Sequence, residues 1–265
     1  MKKSSVLSLC FVLLCLLLNA CASPASVPTV SVSQTLTVFA AASLTEAFAE
    51  IGKGFEAAHP GLKVAFNFGG SQALRTQLEQ GAVADVFAPA SEAELDKAVA
   101  AGLVNSGSVR PFAANHLVVI LPKDNPAKVE KLEDLARPGL KLVLAAEEVP
   151  VGKYSRDMLD KLENQFGVRF KASVLANVVS SEDNVKQVVV KVQLGEADAG
   201  IVYTSDAVAA PELKTISIPA EYNVTAAYPI AVLAASPHSA LAKAFVEYVL
   251  SAEGQGMMGK WGFGK

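Results

Sequence analysis

Four short turns hold the residues whose types and spacing point to chemistry. Ala42-Ser43, Gly70-Ser71, Val151-Gly152 and the stretch from Ser180 to Asn184 are built mainly of small or polar residues, and each leads into a segment of helical period. The first N–H groups of a helix have no partner inside it and lie at the positive end of its dipole. Several such starts aimed at one point form an anion site that needs no lysine or arginine. A serine before one helix is equally well explained as a plain cap, so the recurrence of the pattern, rather than any one turn, suggests a ligand.

Other chemistries find less support. Gly69-Gly70-Ser71-Gln72-Ala73 comes close to the G-x-S-x-G elbow of α/β-hydrolases, and Asp206 and His238 follow in the chain order that a triad requires. A secreted serine hydrolase using Ser71 is therefore the alternative reading. Against it, Ala73 stands where the last glycine belongs, and Ser71 follows only the second strand. No G-x-x-x-x-G-K-[ST], G-x-G-x-x-G or H-E-x-x-H occurs, which removes the main sequence support for nucleotide binding and zinc hydrolysis. His59, His116 and His238 fall in three separate segments without metal-ligand spacing and read as structural or solvated.

The turns are positioned by an alternation of apolar extended runs and helical segments, the pattern of a parallel α/β sheet. Strands are expected at 36–40, 62–68, 83–87, 117–121, 142–145, 199–203 and 230–234. Ser43-Leu44-Thr45-Glu46 has the form of a capping box opening a helix through Phe48, Ile51 and Phe55. Further helices carry Leu74 and Leu78 before Gly81, Leu95 and Val99 after Ser91, and Met158, Leu159 and Leu162. Val185, Val188, Val189 and Val192 recur at i, i+3, i+4 and i+7, so this valine-rich segment reads as a helix by its period, closed by Gly195. A last helix is expected over 239–250.

The chain is large enough for one big domain or two closely joined ones: 265 residues, of which 51% are hydrophobic and 18% charged. The net charge is −3, and no basic run occurs beyond the first three residues, so a nucleic-acid partner is not expected. Of three cysteines, Cys10 and Cys15 lie in an apolar leader and Cys21 just after it. The folded body thus has no thiol for a disulfide or a metal.

Leu36-Thr37-Val38-Phe39-Ala40-Ala41-Ala42-Ser43-Leu44, Phe68-Gly69-Gly70-Ser71, Ala84-Asp85-Val86-Phe87, Val149-Pro150-Val151-Gly152-Lys153-Tyr154 and Gly195-Glu196-Ala197-Asp198-Ala199-Gly200-Ile201-Val202-Tyr203 follow one another along the chain. Together they resemble the molybdate-binding proteins of molybdenum ABC transporters, in order from Leu36 to Gly262-Phe263. The resemblance implies an α/β type II periplasmic-binding-protein fold with two lobes, a ligand cleft and a two-strand hinge. Lobe 1 would comprise residues 35–114 plus 229–265, and lobe 2 residues 115–228. Ser43 and Ser71 would bind the oxyanion from the first lobe. Backbone N–H groups of Val151 and Asn184 and the phenol of Tyr203 would bind it from the second. The implied ligand is molybdate or tungstate, held through oxygen by these residues with no direct metal ligand and no further cofactor. The implied protein is not an enzyme but a monomer delivering its anion to a transporter permease. Glu182 and Asp183, close to Asn184, are expected to face solvent at the helix start, where negative charge is favourable.

Lys2 and Lys3 precede the apolar run 6–18, which is short for a membrane span, and residues 1–20 read as a signal peptide. Leu18-Asn19-Ala20-Cys21 resembles the lipobox of bacterial lipoproteins, although Asn19 is an unusual occupant. Residues 21–34 would then form a lipidated, flexible tether holding the protein to the membrane on its extracytoplasmic side. Ordinary cleavage after an Ala-x-Ala-like site is the other reading. Cys21→Ala is expected to abolish the acylated mature species, scored by mass spectrometry of the membrane fraction. A wild-type protein recovered without lipid and cut at another residue would refute the lipobox.

Overall fold

A computed structural model describes residues 34–264; residues 1–20, read above as a signal peptide, Cys21 and all but the last residue of the segment read as a tether lie outside the described residues. The first strand, β1 (Gln34–Ala41), already takes in Gln34, the last residue expected in the tether. Its second half is buried on both faces, as a continuous apolar run requires. β1 pairs in parallel with β2 (Leu62–Gly69) and β3 (Val86–Ala88). Helices α1 (Thr45–Ala58), α2 (Ser71–Glu79) and α3 (Glu92–Ala100) connect and follow these strands. The apolar face of α1 buries Phe48 and Phe55, whose rings pack edge-on against Phe245.

The long strand β4 (Arg110–Leu121) leads into the second half. That half contains β5 (Leu142–Ala145), α4 (Pro150–Phe166), α5 (Phe170–Leu175), β6 (Val178–Glu182), α6 (Val185–Gln193), β7 (Ala199–Tyr203), α7 (Thr204–Ala209) and β8 (Lys214–Ser217). Strand β9 (Thr225–Val232) runs back beside β4, and α8 (Ser239–Leu250) and α9 (Ala252–Lys260) finish the described chain on α1. The nine strands lie in the order β2-β1-β3-β9-β4-β7-β5-β6, with β8 on the flank of β4.

The sheet is mixed rather than purely parallel. β9 is antiparallel to both β3 and β4, and β4 is antiparallel to β7 and β8. Alternating strands and helices give no information on direction where the chain crosses between halves, and the antiparallel pairs are at that crossing. Both crossing strands begin earlier than their apolar runs suggest. Pro111 in β4 and Pro229 in β9 face each other beside a register shift, a place where the missing N–H groups can be accommodated. β3 starts at Val86 because Val83, counted with it, is largely exposed.

Ser43 does not cap a helix: it sits inside a 3-10 turn, Ala42–Leu44, and α1 starts after it without a side-chain cap. Ser180 and Ser181 belong to β6, not to a turn, since an edge strand can place hydroxyls on its open face. β6, α5, α7, β8 and α9 carried too short or too polar a pattern to be anticipated.

The valine-rich helix forms as its period requires. All four periodic valines of α6 are buried, and Val188 and Val192 press on β7 at Gly200. A Cβ at Gly200 would lie 2.9 Å from Val188 Cγ1 and 3.1 Å from Val192 Cγ2. Gly200→Val is expected to cost about 1–3 kcal/mol by overpacking. Urea denaturation checks this as a lower midpoint with unchanged slope; an unchanged midpoint would mean that α6 does not rest on this strand as described.

Candidate functional site

Four helical starts meet at one small cavity. It is lined by Ala41, Ala42 and Ser43 at the 3-10 turn, and by Gly69, Gly70 and Ser71 at α2. Val149, Pro150 and Val151 at α4, and Asn184 and Val185 at α6, complete the ring, with Ala90 and Tyr203 between them. All five residues singled out from sequence, Ser43, Ser71, Val151, Asn184 and Tyr203, therefore face a single space. None of the lining residues is Lys, Arg, His, Asp or Glu. What the helix starts can offer an anion there is the partial positive charge of their free backbone N–H groups.

Each serine hydroxyl is held by one partner. Ser71 Oγ accepts the Ala90 N–H at 2.9 Å, which uses a lone pair and leaves its own proton to be donated. Ser43 Oγ lies 2.8 Å from Tyr228 Oη, and a bond donated by the phenol frees the serine proton in the same way. Asn184 uses its side chain to cap α6, accepting from Gln187 N at 3.2 Å, so it offers the cavity its backbone. Val151 O accepts from Ser155 Oγ at 2.7 Å, which anchors the first turn of α4.

Tyr203 differs from the others. Its side chain is buried, and its Oη has no hydrogen-bond partner among the described residues. Burial pushes its phenol well above the ordinary tyrosine range, with neighbouring Tyr228, Tyr154 and Asp206 adding to the effect. It is a neutral donor aimed into a space of donors. Behind it, Asp206 is fully buried and accepts the Tyr203 N–H at 3.2 Å. Lys186 approaches Asp206 at 3.2 Å and Glu46 at 2.7 Å. These three charges are thus spent on one another and not on the cavity.

Several other expectations are settled by partners. Asp183 is exposed, but Glu182 is buried and bonded to Lys191 at 3.0 Å and to Ser180 Oγ, on the outer side of the helix start. It forms part of a wider groove of about 540 Å³, whose Lys186 and Lys191 are both paired with carboxylates. The hydrolase alternative lacks its relay: His238 faces Asp85 at 3.3 Å, Asp206 faces Lys186, and Ser71 accepts from backbone. His59 bonds the Phe55 carbonyl and His116 bonds Thr225. No metal-binding cluster occurs among the described residues.

Sequence reasoning missed Tyr228 and Ala90, which orient the serines. Neither carries a local signal: Tyr228 comes from β9, on the far side of the chain from Ser43, and meets Tyr203 and Phe263 edge-on.

Two α/β halves closed around a cavity of neutral donors define a solute-binding protein. Residues 36–264 match the family model described as bacterial extracellular solute-binding protein, and the chain belongs to that family. Within it, the sequence falls among the molybdate-binding proteins. It is 41% identical over 246 residues to the molybdate-binding protein ModA of Mycobacterium tuberculosis, covering 92% of this chain and 90% of that protein. It is 32% identical over 249 residues to the putative ABC transporter substrate-binding lipoprotein YvgL of Bacillus subtilis, covering 94% and 93%. The periplasmic molybdate-binding protein of Azotobacter vinelandii superposes with a TM-score of 0.75 over 86% of this chain and 98% of that one, at 20% identity. That structural likeness bears on the fold, which is of the two-lobed type II periplasmic-binding class.

The two tyrosines separate donor from support. In ligand-free protein, Tyr203→Phe is expected to leave stability unchanged or raise it by about 1–3 kcal/mol, because it removes an unsatisfied buried group. Tyr228→Phe is expected to lower stability by about 1 kcal/mol through loss of the Ser43 bond. Chemical denaturation of both checks this, and the reverse order would show that Tyr203 is satisfied and Tyr228 is not.

Proposed function

We propose that this protein captures molybdate, and tungstate with it, outside the cytoplasm and delivers it to an ABC importer, acting as a monomer. The observation that carries the reading is the unpartnered, buried Tyr203 hydroxyl facing a ring of helix starts with no charged side chain. Hydrogen bonds to a charged acceptor contribute about 1.5–3 kcal/mol each, so a handful from Ser43, Ser71, Val151, Asn184 and Tyr203 offset the dehydration of a dianion without a countercharge. The names of the relatives, molybdate-binding proteins among them, point to the same ligand.

A site made only of donors also discriminates. Hydrogen phosphate carries an O–H that would find no acceptor and remain unsatisfied, at about 1–3 kcal/mol. Sulfate passes that filter and is rejected by size, being smaller than molybdate or tungstate. The cavity volume is about 10 Å³, the space of about one water. Uptake of a four-oxygen anion therefore requires the helix starts to separate and then settle around it.

In this reading lobe 1 comprises residues 35–114 and 229–265 and lobe 2 residues 115–228. The support is that both divisions fall close to or within the paired strands β4 and β9. Lipid on Cys21 would keep the protein at the membrane beside its permease.

Calorimetric titration of anion-stripped protein with molybdate, tungstate, sulfate and phosphate tests the proposal. One anion per chain is expected, with sulfate and phosphate at least about a hundredfold weaker, a gap of about 2.7 kcal/mol. Saturating molybdate should raise the melting temperature by about 5–10 °C. Sulfate binding as tight as molybdate would overturn the assignment.

A further inference from the structure

One residue beyond the lining residues Ser71 and Asn184, two turns of opposite halves touch. The Gln72 side chain, in the first turn of α2, donates from Nε2 to the Asp183 carbonyl at 3.2 Å. Asp183 immediately precedes Asn184, the cap of α6. Gln72 Oε1 is buried without a partner among the described residues, so the bond to Asp183 is the one that fixes this amide. Next to it, Gly70 approaches so closely that a Cβ there would overlap the same Asp183 carbonyl oxygen and the folded-back Gln72 amide. The backbone at Gly70 is extended, with φ −62° and ψ 132°, a conformation open to any residue. A side chain is thus excluded by the approach of the other half and not by local geometry.

We infer that Gly70 and Gln72 form a latch on the Asp183 carbonyl, with Gln72 a positioning residue that holds the two sets of ligand donors together once the cleft has closed. The inference rests on the oxyanion reading above and deepens it. An opened cleft separates Gln72 from Asp183, so the latch contributes nothing to the first encounter. It acts on the closed complex, where leaving requires the bond to break and the two turns to part. Its signature is therefore in the dissociation rate, whereas a residue that merely supports α2 would alter the stability of the ligand-free protein.

The test measures association and dissociation of labelled molybdate, with an unlabelled chase, for wild type, Gln72→Ala, Gln72→Glu and Gly70→Ala, together with ligand-free melting. Gln72→Ala is expected to dissociate about 3–10-fold faster, the loss of one hydrogen bond, with association within about twofold of wild type. Gln72→Glu, which sets a carboxylate against the carbonyl, should dissociate faster still. Gly70→Ala should bind at least about tenfold more weakly, because its methyl group blocks closure. Ligand-free melting of all three should match wild type. Wild-type dissociation rates in both Gln72 variants, or their effects appearing only as lowered ligand-free stability, would overturn the latch. Should wild type itself bind none of the four anions, the oxyanion reading fails. Oxidation of a Gln72→Cys/Asp183→Cys protein then reads the latch alone, because a disulfide between the two turns forms only during transient closure: slower formation when Gly70→Ala is added upholds the latch, and an unchanged rate overturns it.

Discussion

Enclosing an anion without a cation asks that the hydrogen-bond donors on each wall of the cleft be fixed relative to one another, so that closing brings together two sets that are already oriented. The cleft meets this condition through backbone. Each helix start contributes N–H groups whose direction is set by a helix anchored well away from the cavity: α6 by its buried valines, α4 by Met158, Leu159 and Leu162, α2 by Leu74 and Leu78. The side chains that line the cavity beside them are short or rigid, and each is held from behind. Ala90 holds Ser71 and Tyr228 lies against Ser43, while Asp206 fixes the backbone of Tyr203.

The charged groups close by are arranged so as not to disturb this. Asp206, buried beneath Tyr203, would repel an anion if left alone. Lys186 meets it at 3.2 Å and also reaches Glu46, so Asp206 faces a cation on its side away from the cavity. A lysine turned into the cavity would bind any small anion in proportion to charge density. Neutral donors at fixed positions make shape and protonation state matter more.

That the five candidate residues would share one cavity was more legible in the sequence than the sheet was. Small residues before helical periods mark helix starts wherever they occur, and the known relatives' motif order tied Ser43, Ser71, Val151, Asn184 and Tyr203 together. What could not be read were pairings between distant segments. Tyr228 supports Ser43 from β9, and Gln72 crosses to a carbonyl that has no side-chain identity at all. Ser43 itself shows the limit of a local rule: its sequence has the form of a cap, but tertiary packing draws the chain into a 3-10 turn and sets the hydroxyl against the Tyr228 phenol. The antiparallel pairs were likewise invisible, since apolar alternation does not encode strand direction. Glu182 is expected in solvent at the helix start, where negative charge is favourable, whereas Lys191, along α6, draws it into cover.

The position of β9 between β3 and β4 has a consequence for how the chain is made. Val86 pairs with Val232, and Arg110 with Ile230, so the first half of the sheet has a gap that only a late segment can fill. The second half, between β4 and β8, is nearly contiguous in sequence and has its own apolar interior. A chain emerging from its N-terminus can thus assemble the middle first, while the earliest strands wait, incomplete, for the last. The half that begins the chain therefore cannot lock into its final form until nearly all of the chain has been made.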